Sequence, residues 1–388
     1  MQIISTTADL AAVCERLAQH AYVAVDTEFM RETTFWPKLC LIQMAGPDLE
    51  AIVDPLAKGI DLNPFFELMG NTAVTKVFHA ARQDVEIVWV MGRTIPKPMF
   101  DSQVAAMVCG FGESISYVNL VKQITKADLD KSSRFTDWAR RPLSTKQLQY
   151  ALGDVTHLRD VYLRLKADLE RTERASWLEE EMALLSDPRS YETQPEDSWR
   201  RVKMKVRGRK AQAVLIELAA WRERQAQAQD VPRNRILRDE VLVDIATHMP
   251  TDVTALGDLR SLSDGFARSA RAKDIVDAVN AGLARDPKAL PQQEQVLIVP
   301  PDKLAMVELL KVLLKGNAAR HGVAPRLIAD TSDIERIVME LIPDVPAMRG
   351  WRREMFGADA LMVKEGRLAI TVKSGQIVTV GLGDSLTD

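Results

Sequence analysis

Two carboxylates stand two positions apart at Asp26 and Glu28, a third lies at Asp84, and a phenol and a fourth carboxylate lie one helical turn apart at Tyr150 and Asp154. Side chains alternate along a strand, so positions 26 and 28 face the same way. Two such acids repel unless a cation bridges them or one takes a proton, which makes the pair a candidate site for a hard divalent metal. Solvated acids at a strand end fit the same spacing. Asp84 follows His79-Ala-Ala-Arg-Gln and opens a helix, where a first-turn acid is also favoured by the macrodipole alone. Tyr150 and Asp154 share a helical face, an ordinary pairing. His157 lies on nearly the same face but reads as a neighbour, because hard cations prefer oxygen. No element specifies the chemistry alone.

The surrounding elements must bring these groups together. Residues 22–26, 39–45, 51–54 and 74–78 are short apolar or alternating runs, as strands require. Residues 81–91, 101–109, 117–124 and 145–170 carry helical periodicity, with Val85, Val88 and Trp89 on one face of the first. This order predicts a mixed α/β domain over residues 1–185, with helices packed on a central sheet. Residues 186–198 are polar, contain two prolines and read as a linker. Beyond them Ala211, Val214, Leu215, Leu218 and Trp221 form one apolar stripe. A second break at 286–302 precedes another stripe through Leu304, Val307, Leu310 and Leu313, then a strand-like run at 370–380 and a polar tail. Small all-helical domains are therefore expected at 199–286 and 300–388.

At 388 residues the chain exceeds one typical domain, and its 46% hydrophobic and 27% charged residues describe an ordinary globular protein. The first residues lack the basic and apolar segments of a signal peptide, and no run approaches the ~18 apolar residues of a membrane span. Cys14, Cys40 and Cys109 form no close pair, so reduced thiols in the cytoplasm are expected. A net charge of −3 would argue against a nucleic-acid partner if it were evenly spread. It is not: Arg200, Arg201, Lys203, Lys205, Arg207, Arg209 and Lys210 fall together with no acid among them. Such a patch acts over about 10 Å at ordinary salt, although charge runs are commonly just solvated faces.

In order, D-x-E on a first strand, H-x-x-x-x-D after a later strand and Y-x-x-x-D on a late helix resemble the three exonuclease motifs of the DEDD superfamily, tyrosine branch. Asp26-Thr-Glu-Phe-Met-Arg-Glu, Phe78-His-Ala-Ala-Arg-Gln-Asp-Val-Glu-Ile, Arg134-Phe-Thr-Asp-Trp-Ala-Arg-Arg-Pro-Leu and Tyr150-Ala-Leu-Gly-Asp-Val closely resemble the bacterial ribonuclease D family. Val231-Pro-Arg-Asn-Arg-Ile-Leu-Arg-Asp-Glu resembles the helical HRDC module shared with RecQ-type helicases, and the family implies a second, divergent copy after residue 300. The resemblance implies a ribonuclease H-like catalytic domain and removal of 5′-mononucleotides from RNA 3′ ends, chiefly those of precursor tRNA, by a monomer. It implies two divalent cations, Mg2+ or Mn2+, with Asp26 bridging, Glu28 and Asp154 completing the water-activating site and Asp84 supporting the second ion. Tyr150 would orient the nucleophile. Phe29, His79 and Gln83 are the candidate substrate contacts; Trp36 and Trp138 also lie near the motifs but fit core positions as well. A DNA-directed exonuclease remains open, because the acids handle only phosphate. A decayed, non-catalytic RNA-binding module would predict a missing acid, and all four are present. A mononuclear iron site at His79 lacks the close H-x-D pair such centres commonly use.

Overall fold

The computed structural model describes residues 3–130, 132–133, 136–192, 194–262, 265, 269–291 and 297–382. Arg134 and Phe135 of the third motif's flank, and most of the polar tail, lie outside the described residues. A six-stranded mixed sheet occupies the N-terminal half, ordered β1-β4-β3-β2-β5-β6. Its strands are β1 (Ile3–Ile4), β2 (Tyr22–Met30), β3 (Lys38–Ala45), β4 (Glu50–Val53), β5 (Thr75–Phe78) and β6 (Met99–Asp101). β2 runs antiparallel to β3 and parallel to β5, and so lies central. Tyr22 to Val25 are all buried there, as a strand covered on both faces requires.

Helices α1 (Thr7–Leu17), α2 (Asn63–Gly70), α3 (Arg82–Gly92), α4 (Ser102–Val108), α5 (Tyr117–Thr125), α6 (Thr145–Arg171) and α7 (Ala175–Leu185) cover the sheet. The longest, α6, starts at a capping box in which Ser144 and Gln147 satisfy each other's backbone amides. Ala151, Val155, Leu158, Val161, Tyr162, Leu165 and Leu169 form its buried stripe. The helix packs on β2 and β3, which sets Tyr150 and Asp154 over the strand carrying Asp26 and Glu28.

The second unit is helical: α8 (Arg209–Gln229), α9 (Arg233–Ile236), α10 (Asp239–His248), α11 (Val253–Gly257) and α12 (Ala270–Ala284). Leu215, Leu218, Leu242, Ile275 and Val279 form its core. The polar stretch before it is not extended chain: Tyr191 is buried and donates to the Leu185 carbonyl, and a 3-10 segment, Pro195–Arg201, packs on α8.

The C-terminal unit contains α13 (Pro301–His321), α14 (Pro325–Ile328) and α15 (Thr331–Met339) and ends in β7 (Leu368–Lys373) and β8 (Gln376–Gly381). The expected all-helical character is corrected here by that hairpin. The two strands pair antiparallel from Leu368 with Gly381 to Lys373 with Gln376, and Ser374 and Gly375 turn between them with φ of 52° and 77°, as a two-residue hairpin loop demands. Leu310, Leu313, Ile328 and Trp351 join the same apolar cluster as the α/β domain. Among the described residues no helix is long and apolar enough to cross a membrane.

Candidate active site

Carboxylate oxygens of Asp26, Glu28 and Asp154 lie within 4.8 Å of one another, all three half-buried. Asp26 and Glu28 reach this point from one face of β2, and Asp154 from α6 above it. The Thr27 hydroxyl, between the two acids in sequence, donates to Asp84 Oδ1 at 2.5 Å. Asp84 is buried in the first turn of α3, close enough for its charge to act on Asp26. Asp101, at the end of β6, braces the turn that leads there. Its carboxylate accepts from the amides of Ala80 and Ala81 at 3.0 and 2.8 Å, with Ala80 at a φ of 60°.

So many carboxylates in one half-dry place distort each other's ionisation. Burial, then the charges of Asp154, Asp84 and Glu28, hold the Asp26 carboxyl well above the usual range. Burial pushes Asp84 up to about 7, against the opposing pull of the Thr27 hydroxyl. Burial and the neighbouring carboxylates, Asp154 foremost, also drive the Tyr150 phenol far above its ordinary range, and its hydroxyl hydrogen-bonds Asp154. These groups form a site that demands counter-charge. An all-oxygen set of this kind fits a hard divalent cation.

A bulge shapes the strand at this point. β2 and β3 pair Glu28 with Leu41 and then Phe29 with Leu39, leaving Cys40 as the extra residue. The Cys40 carbonyl accepts from Arg141 Nη2 at 2.7 Å, while the same guanidinium holds both oxygens of Asp54 and the Trp138 carbonyl. Trp138 is buried with its ring 6.0 Å from that of Tyr150, so it is a core residue supporting the phenol.

The candidate substrate contacts part company. Gln83 is exposed beside Asp84, and Phe29 is half-buried against the main core. His79 turns inward: Nδ1 meets the Ser102 hydroxyl at 2.9 Å, and Nε2 is enclosed with no well-formed hydrogen bond among the described residues. Burial holds its pKa down, so the ring stays neutral. Its ring meets Tyr117 edge-on at 5.4 Å, and the Tyr117 hydroxyl donates to the carbonyl of Gly153, next to Asp154. Thr27, Asp101, Tyr117 and Arg141 had no sequence signal as site residues, because each acts on a partner remote in the chain.

A central mixed sheet carrying clustered acids, followed by a helical module, defines the class of 3′-5′ exonucleases with HRDC domains. Residues 1–170 match the family described as 3′-5′ exonuclease, and residues 198–279 match the HRDC domain. The chain is 52% identical to ribonuclease D of Nitrobacter hamburgensis over 98% of this chain and 99% of that one. It is 46% identical to ribonuclease D of Bartonella henselae, covering 98% and 94%. The crystal structure of Escherichia coli RNase D, described as an exoribonuclease involved in structured RNA processing, superposes with a TM-score of 0.80 at 30% identity, covering 94% of this chain and 98% of that one. The chain belongs to the ribonuclease D family. It is a 3′-5′ exoribonuclease with a divalent-metal site.

Proposed function

We propose that Asp26, Glu28, Asp84 and Asp154 hold two divalent cations, Mg2+ or Mn2+, and that the chain trims structured RNA one 5′-mononucleotide at a time. The observation that carries the reading is the convergence of three carboxylates within 4.8 Å, with a fourth braced beside them. Bound there, two cations would neutralise the carboxylates, lower the pKa of the attacking water and stabilise the leaving 3′ oxygen.

The chain's own groups do the remaining work. Tyr150 keeps its proton throughout the neutral range, so it orients the nucleophile by hydrogen bonding instead of serving as the base. Phe29 and Gln83 flank the terminal nucleotide, the first by stacking. His79, neutral and enclosed, supports that wall through Ser102 and Tyr117. Residues 1–185 form the catalytic unit, 199–286 and 300–388 two HRDC-type units. At the start of the second unit, the exposed Lys203, Lys205, Arg207 and Lys210 face solvent with no ion pair among the described residues, and form the surface for the RNA backbone. Precursor tRNA 3′ trailers in the cytoplasm are the proposed substrate, and a monomer the working form.

The test is degradation of a 5′-labelled RNA carrying a short unpaired 3′ tail, beside DNA of the same sequence. A ladder shortening from the 3′ end, abolished by chelator and by Asp26→Asn, is the expected result. Persistence of shortening in Asp26→Asn would remove these acids from the reaction. Equal cleavage of the DNA would remove RNA selectivity from the proposal.

A further inference from the structure

The loop between β2 and β3 connects the catalytic strand to the helical module. Residues 31–37 begin three positions after Glu28 and end where β3 starts. At its near end Arg31 donates both η nitrogens to Glu86 on α3 at 2.8 Å each, two residues beyond Asp84. At its far end Phe35 leaves the α/β domain altogether. It is buried in the core of the helical module, and Trp36 packs against the same core.

Asp230 makes the attachment. One oxygen, Oδ1, accepts from the amides of Phe35 and Trp36 at 3.0 and 2.9 Å, across almost two hundred residues of sequence. Asp230 also ends α8, with φ 49° and ψ 49°. Aspartate tolerates the left-handed conformation there, but its negative charge opposes the helix dipole at a C-terminus. The two loop amides supply a reason for a carboxylate at that position. Behind them Glu223, fully buried on α8, pairs with Arg233, whose guanidinium lies 4.7 Å over the Phe35 ring. A desolvated acid, a cation and an aromatic ring thus line up to hold one loop.

We propose that Asp230 is a positioning residue for the exonuclease site. By holding the Phe35 and Trp36 amides it fixes the far ends of β2 and β3, and with them the bulge that aims Glu28. The helical module is on this reading part of the active-site scaffold, in addition to any grip on RNA. The inference rests on Asp26 and Glu28 being the metal-binding acids.

The test uses the full chain and two substrates: a trinucleotide RNA, whose few phosphates extend little beyond the acid cluster, and a long structured RNA. Asp230→Gly removes the acceptor while keeping a residue suited to the helix end, and Asp230→Asn keeps an acceptor oxygen. For Asp230→Gly, kcat on the trinucleotide is expected to fall about tenfold with KM near wild type, because small misplacements of catalytic groups are costly. Mn2+ affinity by calorimetry should fall with it, while the melting temperature shifts by no more than about 2 °C. Asp230→Asn should restore both. Unchanged kcat on the trinucleotide overturns the proposal, even if the long RNA binds more weakly, since the module would then act only on substrate. If Asp230→Gly does not fold, Phe35→Leu decides by the same readouts, as it keeps the apolar filling but removes the ring under Arg233. Asp26→Asn is measured alongside: if it stays active, the assignment of the acids fails, independently of Asp230.

Discussion

At the scale of single residues, the site is a balance of like charges. Asp84 illustrates it. Its folded pKa of about 7 lies above the ordinary value of 3.8. Below about pH 4 both folded and unfolded states carry the proton, and the group has no effect on stability. Between about 4 and 7 the unfolded chain ionises first, so stability falls as pH rises and stays lower above 7. In chelated protein Asp84→Asn should therefore melt with wild type at pH 4 and above it at pH 7.5, by roughly 2–4 kcal/mol. Added Mg2+ should narrow that gap by stabilising wild type more than the variant, which keeps only three of the four acids. Scanning calorimetry at the two pH values decides; a gap that is larger at pH 4 would refute the assignment. Asp84 was visible in the sequence from its spacing after His79. Its partner Thr27 was not, because a threonine between two acids looks like filler until the fold brings α3 against β2.

At the scale of elements, a strand irregularity is paired with a distant arginine. The bulge at Cys40 leaves a carbonyl outside the ladder, and Arg141 takes it while gripping Asp54. Arg141→Ala would leave both the carbonyl and a mostly buried carboxylate without their partner. We expect a loss of about 3 kcal/mol in denaturant unfolding. Activity at 25 °C should also fall, because the loop that seats Trp138 under Tyr150 loses its anchor. Arg141→Lys should recover little, as an ammonium cannot span the same acceptors. The periodicity of α6 and its Ser144 start were legible. The bulge was not, since nothing in the run at 39–45 marks Cys40 as an extra residue.

At the scale of the whole molecule, the two C-terminal units attach differently. The helical module docks through Phe35 and Asp230, whereas the last unit shares the main apolar core. There Trp177 and Trp351 stack at 4.3 Å, with Arg174 over the first ring and Arg352 over the second. Arg352 also binds Glu180 and Glu181, and Arg174 the carbonyl of His321. Trp351→Ala should cost about 3 kcal/mol and split calorimetric unfolding into two transitions, the last unit melting first. A single transition would mean the remaining contacts still couple the units. The basic surface makes a separate prediction. Replacing Lys203 and Lys205 by alanine should weaken binding of structured RNA at all sequences and lower the slope of log K against log salt by about 2. An unchanged slope would take those lysines off the RNA path.

The sequence by itself determined the kinds of elements, and its motifs taken in order pointed to the chemistry through the family they resemble. Local rules suffice for the first: strand alternation put Asp26 and Glu28 on one face, helical periodicity put Tyr150 beside Asp154, and apolar runs and breaks marked an α/β domain followed by helices. Alternation at 370–380 carried a strand signal too, yet the domain around it read as all-helical because the preceding stripes dominate. Tertiary structure alone decided what joins remote positions. Thr27 with Asp84, Arg141 with Asp54 and Cys40, Asp230 with the Phe35 and Trp36 amides, and Trp177 with Trp351 all depend on contacts between elements far apart in the chain. No periodicity records such contacts, because a hydrogen bond or a ring stack is specified by where two backbones meet, and that follows from the packing of the whole core.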